Sequence, residues 1–207
     1  MPPFNPYDIV AALENKVAEY SGAPYAVAVD SCTNALLIAL RYHRMINSGD
    51  TVILPKKTYV GVAYAALNAG YKIEFEDNQW QGAYTIGNTN IIDSARRFTK
   101  NMYVPGSFYC LSGHWGKTLK IGRGGFILTD NRLAANDLRR MRFDGRQAGV
   151  RPTDDNFTLP GYHCYMLPSE AAHGLMLMAS MPDYNADIKW DDYTDLSQYP
   201  IFTEGYK

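Results

Sequence analysis

Apolar residues at Ile9, Val10, Leu13, Val17 and Tyr20 recur at the spacing of one helical face, with Asn5-Pro6 ahead of them as a start and Gly22 behind them as a stop. The spacing predicts an amphipathic opening helix. The apolar run 25–29 suits a buried strand, and Asp30-Ser31 then introduces a helix over about 34–45. Ser48-Gly49-Asp50 reads as a turn, residues 51–54 as a strand stopped by Pro55, and residues 59–68 as a helix ending near Gly70. Further strands are expected at 72–75, into Ile91-Ile92-Asp93, at 108–111 and at 126–129, followed by a charged amphipathic helix over about 132–142. Residues 145–160 turn polar and rich in turn formers, residues 166–181 read as helical again, and the stretch after Pro182 is acidic and tyrosine-rich without clear periodicity.

Strands alternating with helices over short connections predict a three-layer α/β/α fold with a mostly parallel sheet, its ligands at the carboxyl ends of the strands. Residues 1–181 are expected to form one large domain and residues 182–207 an acidic tail. Twenty basic against 21 acidic residues leave no net positive field, which argues against nucleic acid as a partner. Three scattered cysteines, Cys32, Cys110 and Cys164, suit a reducing compartment better than a disulfide framework. The beginning MPPFNPYDIV has neither a basic leader nor an apolar core, and no apolar run is long enough to span a bilayer, so a cytoplasmic protein is expected. His, Cys and acidic residues nowhere show metal-ligand spacing.

The most informative stretch is SGHWGKTLKIGRGG, residues 112–125. It sets Lys117 shortly before a glycine-rich turn leading into an apolar strand, a position that suits a Schiff-base lysine. Upstream, Ser31, Cys32 and Thr33 lie between a strand and a helix start, where N–H groups and hydroxyls suit a phosphate. Tyr59 begins a helix and offers a flat ring. Asp93 ends a strand and offers a carboxylate that would keep a pyridine nitrogen protonated. Ser112 adds a hydroxyl. Together these point to pyridoxal 5'-phosphate (PLP), with Lys117 carrying it and moving a proton. Each part also has a plainer reading: helix caps for Ser31 or Thr33, packing for Tyr59, a loop cap for Asp93, a surface lysine for Lys117. His114 suits either the substrate entrance or packing. Cys32, at a helix start, suits a lowered thiol pKa.

The segments LENKVAEYSGAPYAVAVDSCTNALLIAL, GDTVILPKKTYVGVAYAALNAGY, IIDSA, SGHWGKTLKIGRGG and GYHCYMLPSEAAHGL, in that order, resemble the DegT/DnrJ/StrS family of sugar aminotransferases, fold-type I PLP enzymes. The resemblance implies the large domain of that fold, with Ser31, Cys32, Thr33 and Ser112 at the phosphate, Tyr59 on the ring, Asp93 at its nitrogen and Lys117 as the imine lysine. It also implies a homodimer with shared active sites, in which His163 reaches the neighbouring subunit's phosphate. The chain departs from the family pattern at Cys32, normally glycine; at Arg96, normally glutamine or histidine; at Arg123, normally glutamate; and at Tyr165, normally arginine. The resemblance further implies a truncated form in which most of the small C-terminal domain is absent and the acidic tail is its remnant.

The resulting expectation is a minimal PLP-dependent aminotransferase that moves an amino group from a glutamate-like donor to a keto acceptor such as a nucleotide-linked keto sugar. Arg96 and Arg123 are candidates for holding a carboxylate. Decarboxylation of an amino acid and a degenerate, non-catalytic domain are the alternatives.

Overall fold

The computed structural model describes residues 5–189 and 192–205. Residues 1–4, in the stretch read for a leader, and residues 190, 191, 206 and 207 of the tail lie outside the described residues. Among the described residues no helix is long and apolar enough to cross a membrane.

The opening helix, α1, runs Asp8–Ser21. Asn5 accepts the Tyr7 N–H through its side chain at 3.1 Å, and Gly22, at φ 79°, closes the helix by donating its N–H to Ala18. Then follow β1 (Tyr25–Val29), α2 (Cys32–Ile46), β2 (Thr51–Pro55), α3 (Val60–Asn68), β3 (Lys72–Glu76), β4 (Tyr84–Thr85), β5 (Ile91–Asp93), β6 (Phe108–Ser112), β7 (Gly125–Thr129), α4 (Arg132–Met141), α5 (Pro168–Met178) and α6 (Pro200–Thr203). Residues 145–160 contain only the single 3-10 turn Pro152–Asp154.

The main sheet has five strands in the order β1-β7-β6-β5-β4. Alternation along its strands sorts side chains to two faces. Val27, Val29, Cys110 and Ile127 join one buried cluster with residues of α2, α3 and α4. Ala26, Ala28, Tyr109, Leu111, Phe126 and Leu128 join another with residues of α1 and α5. This is the expected three-layer arrangement.

The sheet itself is mixed, not mostly parallel. β5 pairs parallel with β6, but β7 lies antiparallel between β6 and β1, and β4 runs antiparallel to β5. The cause is the connection between β6 and β7, which holds no helix and so returns the chain beside its own strand instead of crossing over. β2 and β3 form a separate parallel pair, tied to the rest by a bridge between Ile53 and Gly87. A side chain at Gly87 would meet Ile53 Cβ at 2.6 Å, so only glycine permits this approach.

One buried acid locks the layers together. Glu14 of α1 is 3% exposed, accepts the Ala28 N–H of β1 at 2.9 Å, and pairs with Arg139 at 3.0 Å and with Arg142. Both arginines also donate to backbone carbonyls of β1, those of Ala26 and Ala28. Glu14→Ala leaves that N–H without its acceptor and two guanidiniums without their counter-charge, and we expect it to cost about 3 kcal/mol. Urea unfolding measures this; a variant as stable as the wild type would mean that the cluster does not hold α1 to the sheet.

Candidate active site

Register brings the candidate residues to one end of the sheet. Ser112 pairs with Gly125 and Gly125 with Val29, so the last residue of β6 sits across β7 from the end of β1. A side chain at Gly125 would meet the Ser31 carbonyl carbon at 2.5 Å and the Cys32 nitrogen at 2.6 Å. The chain entering α2 therefore lies directly against β7, which requires glycine there. Asp93 pairs with Cys110, whose carbonyl accepts both the Ser94 N–H at 2.9 Å and the Cys32 thiol at 3.6 Å. The start of α2 and the end of β5 thus meet at one carbonyl.

Asp93 is 5% exposed. Its Oδ1 accepts the Ala95 N–H at 3.0 Å. Burial pushes its carboxyl above the usual range, opposed in turn by the Ala95 N–H, the Tyr84 hydroxyl and the charges of Lys117 and Arg96. Tyr84, whose role was not evident in the sequence, is itself fixed by a 2.6 Å hydrogen bond to buried Thr58.

Lys117 lies in the loop before β7, where its N–H donates to the His114 carbonyl at 2.9 Å. It is half-buried, and among the described residues its ammonium has no hydrogen-bond or ion-pair partner. Burial lowers its pKa and Arg96 lowers it further, while Cys32 and Asp93 act in the opposite direction. The neutral amine is therefore more accessible than in an ordinary lysine. Cys32 contradicts the lowered thiol pKa expected from its helix-start position. Burial, with Asp93 and Cys110 adding, pushes the thiol well up, outweighing the helix dipole.

At the start of α2, Ser31 accepts the Asn34 N–H at 3.2 Å and donates to Asp30 at 3.1 Å, which occupies its hydroxyl as a helix cap. The hydroxyl protons of Thr33 and Ser112 have no acceptor among the described residues. Tyr59 is 55% exposed. A side chain at Gly61 would meet the Tyr59 ring at 2.6 Å and Thr33 Oγ1 at 3.0 Å, so ring, glycine and hydroxyl share one corner.

The remaining candidates have other partners. Arg123 pairs with Asp30 at 2.8 Å. The Arg96 guanidinium is 4.8 Å from the Tyr193 ring and 5.7 Å from that of Trp80, and its Nε donates to the Tyr193 hydroxyl at 3.0 Å. His114 is exposed, accepts the Gly116 N–H at 3.3 Å and touches Trp115. His163 is exposed, bonds Asp144 at 3.0 Å and packs its ring on Tyr165; among the described residues no hydrogen bond joins it to Ser31, Thr33 or Ser112.

A sequence model of the DegT/DnrJ/EryC1/StrS aminotransferase family matches residues 4–100. Over these residues, a little under half of the chain, the sequence is similar to that family. The match takes in Ser31, Cys32, Thr33, Tyr59 and Asp93 and stops before Ser112 and Lys117, so the place of those two rests on the geometry above. No curated protein matches the chain. Among solved structures, the sugar aminotransferase CalS13 from Micromonospora echinospora superposes with a TM-score of 0.70 at 17% identity, over 84% of this chain and 60% of that one. Spr1654 from Streptococcus pneumoniae in its PLP form gives 0.66 at 17% identity, over 84% and 59%. GDP-4-keto-6-deoxymannose-3-dehydratase, ColD, gives 0.62 at 16% identity, over 84% and 61%. The chain shares their fold and spans about three fifths of their length.

The donor set fits PLP: among the described residues, a half-buried amine without a hydrogen-bond or ion-pair partner, a buried carboxyl close enough to feel it, and hydroxyls without acceptors beside a helix start. Ser31 and Cys32 fit less directly, the first through its engaged hydroxyl and the second through an apolar, protonated thiol. The raised pKa of Asp93 means that its ionised form weighs against folding, a cost absent below the unfolded carboxylate pKa and present once pH has risen through the folded one. Asp93→Asn keeps an acceptor for the Ala95 N–H and removes the charge. We expect the variant without cofactor to melt about 2–4 °C higher near neutral pH, with the gain closing on acidification, while its PLP retention weakens. A variant less stable than the wild type at neutral pH would contradict the assigned environment.

Proposed function

We propose that the chain is the cofactor-binding part of a PLP-dependent aminotransferase, and the observation that carries this is the half-buried Lys117, unpartnered among the described residues, beside buried Asp93 at the mouth of the sheet. When bound, PLP supplies an aldehyde and an electron-withdrawing ring. Lys117 would offer the neutral amine that such an aldehyde requires and would hold or move a proton at Nζ. Asp93 holds a proton at the ring nitrogen. Tyr59 covers a ring face, and Thr33, Ser112, Ser31 and the N–H groups opening α2 receive the phosphate. Cys32, with its thiol turned to the Cys110 carbonyl, contributes its N–H.

Residues 1–181 act as the cofactor-binding domain, and residues 182–207 as its acidic tail. The donor is a glutamate-like amino acid, and the acceptor is a keto compound such as a nucleotide-linked keto sugar. The working form is a homodimer in which the exposed His163–Asp144 pair faces the second subunit's phosphate. Three free cysteines suit the cytoplasm. A second reading, a non-catalytic domain, is favoured by one observation: Arg123, offered as a carboxylate holder, is already paired with Asp30, which leaves His114 as the remaining open candidate at the entrance.

Mixing the PLP-loaded protein with L-glutamate separates the readings. Stoichiometric 2-oxoglutarate, at least ~100-fold slower in Lys117→Ala, is expected. Carbon dioxide without the oxo acid would indicate decarboxylation, and absence of both, with the cofactor bound, a non-catalytic domain.

A further inference from the structure

The tail that follows α5 is not simply draped over the body. It is jointed to the loop after Asp93. The Ile188 N–H donates to the Arg96 carbonyl at 3.0 Å, and Asp187 binds Arg97 through both oxygens, at 2.9 and 2.6 Å. A side chain at Gly82 would meet the Asp187 carboxylate at 2.2 Å, so that carboxylate is seated against the backbone preceding β4. Beyond, the Leu196 N–H donates to Lys56 at 2.8 Å, and Leu196 and Phe202 enter the core.

Between these anchors the tail delivers Tyr193 to Arg96. Arg96 is 5% exposed; it donates from Nε to the Tyr193 hydroxyl at 3.0 Å and from a terminal nitrogen to the Ile188 carbonyl at 3.4 Å. Trp80 stacks on Tyr193 at 5.9 Å and 21°, and is fixed in turn by its N–H to the Lys57 carbonyl at 2.9 Å. Trp80 also touches Tyr84 at 4.7 Å. Tyr84 faces Asp93. A continuous set of contacts therefore runs from the tail to the buried carboxylate, with Arg96 covered by two rings.

We propose that Tyr193 is a positioning residue that, together with Trp80, clamps Arg96 as a fixed positive charge beside Lys117 and Asp93, so that Arg96 tunes these groups in place of grasping a substrate carboxylate. This rests on the reading of Lys117 as the functional amine. The groups acting on Lys117 are Arg96 from the loop after β5, Asp93 from β5 and Cys32 from α2. Of these, Arg96 alone favours the neutral amine, adding to burial. It also favours the ionised form of Asp93. Tyr193 feels Arg96, Asp93 and Tyr59, which places the tail residue at the edge of the same site.

The test uses the full chain without cofactor. Trace acylation with acetic anhydride across a pH series, read by mass spectrometry on the Lys117 peptide, gives the midpoint at which the amine becomes reactive. Arg96→Met is expected to raise that midpoint by roughly 0.5–1 pH unit, and Arg96→Lys to restore it in part. Tyr193→Leu is expected to raise it less, and to add nothing in the Arg96→Met background, because Tyr193 acts through Arg96. Tyr193→Phe, which keeps the ring, gives a smaller rise and supplies the reading should the leucine variant misfold. An unchanged midpoint in Arg96→Met, or a Tyr193 effect that persists without Arg96, overturns the proposal. Because the readout needs no cofactor, its failure is distinct from failure of PLP to bind, which is measured separately by absorbance.

Discussion

The site depends on the withdrawal of two opposite charges from water at one end of the sheet. Asp93 is buried and Lys117 half-buried, yet they do not form an ion pair with each other, and burial moves each toward its neutral form. A direct pair would relieve that tension and leave the amine locked as an ammonium. Keeping them apart preserves an amine able to react and a carboxyl whose ionised form stays free to pair with a protonated ring nitrogen.

That spacing follows from the backbone. β5 and β6 run parallel and side by side, so Asp93 and Ser112 end at the same side of the molecule. The hairpin-like return into β7 leaves Lys117 on the loop that hangs over those ends. Gly125 lets the entry to α2 press against β7, which draws Thr33 and the helix start toward the same place. Glu14 fixes the other side of β1, holding its carbonyls and α4 in register with α1. The tail closes the arrangement through Arg96, a charge too buried to remain without the rings and oxygens that surround it.

Much of this was legible in the sequence because it depends on local pattern. The apolar runs and helical spacings gave nearly every helix and strand, and strand ends followed by polar residues pointed to Ser31, Asp93 and Ser112, which register does bring together. Long-range contacts were not legible. Arg96 meets Tyr193 97 residues away and Arg123 meets Asp30 93 residues away, and neither pairing leaves a local trace. The Cys32 thiol departs from its local pattern because the helix-start position is a local feature, whereas the burial that raises its pKa comes from packing against β6. The mixed sheet leaves no such pattern, because strand direction depends on what the connection before β7 contains, and apolar patterning is the same in either direction. The tail showed no periodicity because it is held residue by residue, at Asp187, Ile188, Tyr193 and Leu196, and not along a face.

The most direct measurement is to incubate the purified chain with PLP, reduce it with borohydride, digest it and locate the added pyridoxyl mass. The account requires that mass on the peptide containing Lys117, and its loss in Lys117→Ala. A label on another lysine such as Lys120, or no label on a folded protein at saturating PLP, would contradict it.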